Sequence, residues 1–361
     1  MLHNLTKKIR VLLTDWTIAF VVVILILWFA FTLPIFFQST KSHNPQALSI
    51  DQNSLKNHVE VLSNYYAPRT IEFGNLNATA EYIHAEFQKF GNTQFQPYWT
   101  LISDYKNVIL ELGPKTKEIL VIGAHYDARS DSLDIDGNAS GVATLIELAN
   151  QLSKNEDKLS IGVQLVAYPL SQKKLAVIEN LGSYKHARML FDSGRSVKLM
   201  LSLDGVGSFN DAEASQKYPH EFLRFLYPNK GDYIGLVGRL QDYSKIIALK
   251  KSFQQASELP IVSFSLPDSY YPTSSQDHLN YQRYGFPAMV ITDTSEHRKV
   301  KNNDKSVLER LDYGKMALLV QGLYQVVMDS ESKLQPQSQD IELVQNGVDS
   351  DYSLLIKNKL H

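Results

Sequence analysis

Apolar positions along this chain fall into two regimes. Trp16 to Phe37 is one unbroken apolar run without a charge, whereas the chain after Asp51 breaks into short apolar runs and stretches of helical spacing. Apolar residues recur at helical intervals over Leu55–Tyr65, Ala78–Phe90, Ser140–Leu152, Ser183–Phe191 and Ser244–Ala256, and a long closing helix is expected over Leu308–Met328. Short runs rich in Val, Ile and Leu predict strands at Asn107–Leu112, Glu118–Ile122, Val163–Tyr168, Lys198–Leu203, Tyr233–Val237 and Ala288–Ile291. Strands alternating with helices predict an α/β fold, a mostly parallel central sheet with helices on both faces. In such sheets ligands sit beyond the carboxyl ends of the strands. His125, Ser171 and Asp204 fall there.

A bilayer core needs about 20 apolar residues in a helix, and the run from Trp16 to Phe37 has that length. A cleaved signal peptide would have a shorter apolar run and a small-residue cleavage site, and this chain has neither. Lys7, Lys8 and Arg10 precede the run, and Lys41 is the first basic residue after it. This asymmetry predicts a single-pass anchor over 16–37 with residues 1–15 cytoplasmic. The main domain is then periplasmic, extracellular or lumenal. Residues 38–51 read as a polar linker, 52–330 as the folded domain and 331–361 as a polar tail.

Composition narrows the chemistry. Hydrophobic content of 44% with 20% charged residues is that of a globular chain. A net charge of −2 gives no electrostatic basis for nucleic-acid binding. With no cysteine, disulfides, thiolate metal sites and cysteine nucleophiles are excluded. Asn77-Ala-Thr79 matches a glycosylation sequon.

The strand ending in Val121-Ile-Gly-Ala-His125 places an imidazole at a strand terminus, with Asp127 two residues on. An imidazole held by a carboxylate on its second nitrogen is a good metal ligand. Asn138-Ala-Ser-Gly141 then opens a helix.

With the later blocks, the segment from about Leu55 to Val327 resembles the zinc-dependent exopeptidases that include leucine aminopeptidases, aminopeptidase Y and glutaminyl cyclases. The blocks are Gly123-Ala-His-Tyr-Asp127, Asn138-Ala-Ser-Gly141, Val166-Ala-Tyr168 with Leu181-Gly-Ser183, and Leu201-Ser-Leu-Asp-Gly-Val-Gly207. Asp277-His278, Gly285 to Thr294, Arg298 and Leu311-Asp-Tyr313 complete them. The resemblance implies a site with two zinc ions about 4 Å apart, a bridging aspartate, and a glutamate base that deprotonates the metal-bound water.

Matched position by position, the resemblance gives His125 and Asp204 as residual ligands of the first metal, with Asp127 behind His125. The bridging aspartate corresponds to Gly137, the base to Ser171 and the ligand glutamate to Gln172. The late histidine corresponds to Asn302 or Asn303. Asp277 and His278 match a helix start at which the aspartate caps and the histidine lines the cleft. Amide, hydroxyl and glycine do not replace carboxylates around two divalent ions, and Lys173 and Lys174 add positive charge nearby. A two-zinc site is therefore not expected; the site holds one zinc or none.

Two functions are compatible with this pattern. In the first, an outward-facing aminopeptidase-like domain without dinuclear hydrolysis binds a peptide or protein N-terminus or a membrane partner. In the second, a reorganised single-metal site, completed by Asp131, Asp134 or Asp136, removes N-terminal residues from peptides.

Overall fold

A computed structural model describes residues 15–25, 48–71, 75–101, 103–128, 136–171, 178–218, 221–225, 227–265, 277–299 and 306–330. Residues 15–25 are helical (α1) and belong to a unit separate from the domain, the division falling after Lys41. Trp16, Phe20 and Ile24 of α1 are exposed. Among the described residues no helix is long and apolar enough to cross a membrane. The rest of the expected anchor, residues 26–37, lies outside them, as does the tail 331–361.

The domain is built on one eight-stranded sheet. Its strands are β1 (Asn92–Trp99), β2 (Asp104–Leu112), β3 (Glu118–His125), β4 (Gly162–Tyr168), β5 (Ser196–Leu203), β6 (Ile234–Gly238), β7 (Ile261–Ser265) and β8 (Ala288–Thr292). They lie in the order β1-β2-β4-β3-β5-β8-β6-β7. The sheet is mixed, with its central pairings parallel as expected and antiparallel pairings toward both edges. Pairing is parallel through β4-β3-β5-β8 and between β6 and β7. It is antiparallel for β1 with β2, β2 with β4, and β6 with β8. A short connection, closed by Thr100 N–H donating to Ser103 O at 2.9 Å, permits only antiparallel pairing of β1 and β2.

The helices are α2 (Gln52–Glu60), α3 (Asn75–Gln88), α4 (Ala139–Ser153), α5 (Gly182–Asp192), α6 (Tyr243–Ala256), α7 (Asp277–Arg283), α8 (Val307–Arg310) and α9 (Tyr313–Met328). Strand alternation sorts them to two faces. Leu120, Ile122 and Ala124 of β3 join a core with Leu55 of α2, Leu145 of α4 and Leu319 of α9. Ile119 and Val121, the intervening residues, join a second core with Leu190 of α5 and Tyr281 of α7. Each such aliphatic side chain contributes about 1.5–3 kcal/mol by leaving water.

Two strands escape the hydrophobic pattern. β1 (Asn-Thr-Gln-Phe-Gln-Pro-Tyr-Trp) is an edge strand with mostly polar, half-exposed residues, and β7 spans only Ile261–Ser265. The long closing helix is also split. Asp312 accepts the N–H of Lys315 at 2.9 Å and caps α9, while its own N–H donates to Gly207 O. Trp99 ends β1 at 78% exposure. Asn77 of the sequon donates its amide to Asp104 O at 3.1 Å, and Thr79 is buried within α3.

Candidate functional site

The carboxyl edge of the parallel strands gathers the residues singled out above. His125 is the last residue of β3, Asp204 follows β5, and Ser171 lies just beyond β4. His125 Nε2 stands 3.3 Å from Asp204 Oδ1. Its Nδ1 lies 2.9 Å from the backbone oxygen of Asp127 and 3.3 Å from that residue's Oδ1. Burial works against a charged imidazole, but bonds to Asp127 and Asp204 and the charges of both carboxylates outweigh it. The pKa of His125 is therefore held well above 6.5. The Asp127 carboxylate also accepts the N–H of Ser171, at 3.1 Å from each oxygen. Ser171 itself is buried, after Leu170 in a left-handed conformation (φ 58°).

Position 137 is closed to any side chain. Gly137 has φ +55°, and a β-carbon there would meet Ala128 Cβ at 2.5 Å and Arg69 Nη2 at 2.6 Å. Arg69 is itself buried. Its guanidinium donates to the carbonyl oxygens of Tyr126 (2.9 Å), Asp136 (3.0 Å), Gly137 (2.5 Å) and Leu62. One cation thus ties the turn after α2 to the end of β3 and to the entry of α4.

The Asn-Ala-Ser-Gly motif works as a staple between strand ends. Asn138 donates its amide to His125 O at 2.9 Å and Leu203 O at 3.0 Å, and its Oδ1 accepts from Gly205 N. Ser140 Oγ accepts from Val206 N. A β-carbon on Gly141 would stand 2.3 Å from Asn138 Oδ1, so only glycine leaves room for that amide. Asp136 is occupied as a helix cap, accepting from Asn138 N at 3.1 Å and Ser140 N at 2.8 Å. Asp131, Asp134, Gln172, Lys173, Lys174, Asn302 and Asn303 lie outside the described residues.

A second polar layer lies behind Asp204. Asp293 accepts from Ser208 N at 2.7 Å and Ser295 N at 2.9 Å, and burial lifts its pKa to about 7 despite the charge of Arg298 and these bonds. Arg298 is buried, donates to Ser208 O (2.5 Å) and Tyr233 O, and lies over the rings of Phe209 and Tyr233. His297 is half-buried, and burial lowers its pKa. Asp277 and His278 begin α7 and are both fully buried.

The structure therefore brings His125, Asp204, Asp127 and Ser171 together and sets Gly137 beside them. Among the described residues no group of three or more histidines, aspartates or glutamates is arranged to hold a metal ion. Sequence reasoning missed Arg69 and the stapling role of Asn138. Pro68-Arg69 sits between two helical stretches without a local motif, and burial of a lone arginine leaves no periodic trace.

Comparison with known proteins places this geometry. The chain is 35% identical to the Escherichia coli (strain K12) protein YfbL over 322 residues, covering 85% of this chain and 98% of that one. Among solved structures, Legionella pneumophila LapA aminopeptidase superposes with a TM-score of 0.60 at 17% identity, covering 79% of this chain and 73% of LapA. A Bacteroides thetaiotaomicron glutaminyl cyclase gives 0.53 at 15%, covering 79% and 99%. Both structures share the fold. Residues 107–323 match peptidase family M28, more than half of the sequence, and the chain belongs to that family.

Proposed function

We propose that this M28 domain binds the N-terminus of a peptide or protein at the carboxyl edge of its sheet and does not hydrolyse peptides through two zinc ions. The family's zinc chemistry needs carboxylates between and beside the metals. The carrying observation is at Gly137, where Arg69 Nη2 and Ala128 Cβ occupy the start of any side chain. The described donors at the site are His125 and Asp204, and each is already in contact with the other. Such a set does not fit a dinuclear zinc site. Asp136, the described candidate for completing a one-metal site, is committed to the first turn of α4. Asp204 keeps 12% of its side chain exposed and supplies negative charge for a free amine.

The apolar run Trp16–Phe37 supports a membrane anchor with the domain outside the cytoplasm. Resistance of the full chain to carbonate extraction, with protease access to the domain from the outer side only, tests that arm.

The decisive experiment for the site is metal analysis of the purified chain together with an assay on leucine 4-nitroanilide. Substoichiometric zinc and no turnover are expected. A labelled peptide with a free amine should bind more tightly than its N-acetylated form. Stoichiometric zinc with turnover that His125→Ala abolishes overturns the reading.

A further inference from the structure

We propose that the tip of the β1–β2 hairpin, which carries Trp99 and Leu101, docks on a lipid bilayer and turns the carboxyl edge of the sheet toward it. The inference rests on the reading of Trp16–Phe37 as a membrane anchor. The hairpin rises past the site. His125 lies opposite Tyr168, and Ala167 opposite Val108, so His125 is level with about Asn107. Trp99 pairs with Asp104, three residues further out along β2, about 10 Å beyond that level at the rise of a strand. Leu101 follows in the turn.

The stalk is fixed and its tip is apolar. Tyr98 and Tyr105 are buried and pair across the hairpin, with ring centroids 6.4 Å apart. The Tyr126 hydroxyl donates to Lys106 O at 2.8 Å, and the Asn77 amide donates to Asp104 O at 3.1 Å. On this stalk Leu101 is 99% exposed, two positions from the exposed Trp99. Single exposed apolar residues are ordinary, but this pair crowns a protruding turn. The turn's polar groups close on themselves. Thr100 N–H and Oγ1 donate to Ser103 O at 2.9 and 2.8 Å, and Oγ1 accepts from Ser103 N at 3.2 Å. Internal pairing of polar groups is what entry into an apolar phase requires.

The shape of the tip selects the occupant. A stable protein interface buries about 800 Å² on each partner, and two projecting side chains offer no groove and no such area. A bilayer interface needs no complementary surface, and tryptophan concentrates there. A further exposed aromatic, Phe225 at 90%, belongs to the connection from β5 to β6, whose two ends both lie at this edge of the sheet. Asp104 is exposed opposite Trp99, and a carboxylate stays out of hydrocarbon. Contact is therefore shallow, with Trp99 among headgroups and Leu101 at the top of the acyl chains. Residues 38–47 join the apolar run to Leu48, whose O accepts from Gln321 Nε2 at 3.0 Å. Chain of that length spans at most about 35 Å. Such a tether gives an effective concentration on the order of millimolar, so a contact too weak to hold a free domain still orients this one.

The test uses Trp99 as its own probe. The chain has three tryptophans, and Trp16→Phe with Trp28→Phe leaves Trp99 alone. The full chain with both changes is reconstituted into vesicles of phosphatidylcholine and phosphatidylglycerol, with and without bromine on the acyl chains. Brominated lipid is expected to quench Trp99 about 2-fold or more. Leu101→Asp in the same background should cut that quenching about 3-fold or more at an unchanged melting temperature. The proposal is overturned if brominated lipid leaves Trp99 emission unchanged or if Leu101→Asp is quenched as strongly as its parent. Shielding of Trp99 from acrylamide without quenching by brominated lipid also overturns it, and assigns the tip to a protein partner. Carbonate washing of the same vesicles tests the anchor separately. A retained chain with unquenched Trp99 refutes docking alone, and a chain washed away after showing quenched Trp99 refutes the anchor alone.

Discussion

Nη2 of Arg69 lies 2.6 Å from the point where a β-carbon on Gly137 would begin. This contact bears on the proposed absence of a bridging carboxylate. Were position 137 open, a single substitution would place a carboxylate there. Here a hydrogen-bonded cation and a left-handed backbone have closed the position, so the substitution meets packing and strain together.

Gly137→Asp should therefore fail to restore zinc binding. The new side chain must displace Arg69 from two carbonyls and adopt φ near +55°. A non-glycine residue in that region costs about 1–3 kcal/mol, and the contact with Ala128 adds to it. Urea unfolding should show a lower midpoint, and metal analysis should still give substoichiometric zinc. Stoichiometric zinc in this variant would refute the steric account.

Arg69→Met keeps much of the aliphatic stem and removes the four charge-assisted bonds. Hydrogen bonds from a charged group are worth about 1.5–3 kcal/mol each, and three of the four, to Leu62, Tyr126 and Gly137, are buried. Loss of at least about 3 kcal/mol of stability is expected, read from the urea midpoint at constant slope. Arg69→Lys should recover only part of it, because one ammonium cannot reach carbonyls spread over three segments.

The chain's legibility follows the same physics. β3, β4 and β5 are buried on both faces and stand out as short stretches rich in Val, Ile and Leu, and His125 and Asp204 are legible because they directly end or follow such stretches. The edge strand β1 escapes because one-sided burial and Pro97 leave it without an apolar run. The break between α8 and α9 escapes because Leu311 keeps the helical apolar spacing while Asp312 uses its side chain as a cap. Arg69 and Asn138 escape for a different reason. Their partners are carbonyls distant in sequence, and a backbone acceptor carries no residue identity to read.

Asn138→Asp exchanges the staple's donor for an acceptor. The amide that joins His125 O to Leu203 O is replaced by a carboxylate facing two carbonyl oxygens. Both lose this donor and are repelled, whereas the bond from Gly205 N survives. Destabilisation of about 2–4 kcal/mol is expected, larger than for Asn138→Ala, which leaves space for water. Equal midpoints for the two variants would show that the amide donor is not what holds β3 to β5.

His186 supplies a pH dependence whose sign is fixed by burial. Its Nδ1 lies 2.5 Å from the hydroxyl of Tyr281, which in turn lies 2.7 Å from that of Tyr168. Burial, aided by the charge of Arg195, lowers its pKa from 6.5 to about 3. The unfolded chain therefore binds a proton near pH 6.5 that the folded chain refuses until about pH 3. Stability from this residue is complete above pH 6.5 and is lost as pH falls toward 3, at up to about 1.4 kcal/mol per unit. Asp293 opposes it, since a folded pKa of about 7 against 3.8 makes stability fall as pH rises between those values. The difference between wild type and His186→Gln isolates the histidine. Glutamine stays neutral and retains an acceptor for Tyr281, so the variant should lose less stability than wild type between pH 6.5 and 4. Parallel stability curves for the two proteins across that range would show that His186 is protonated in the fold.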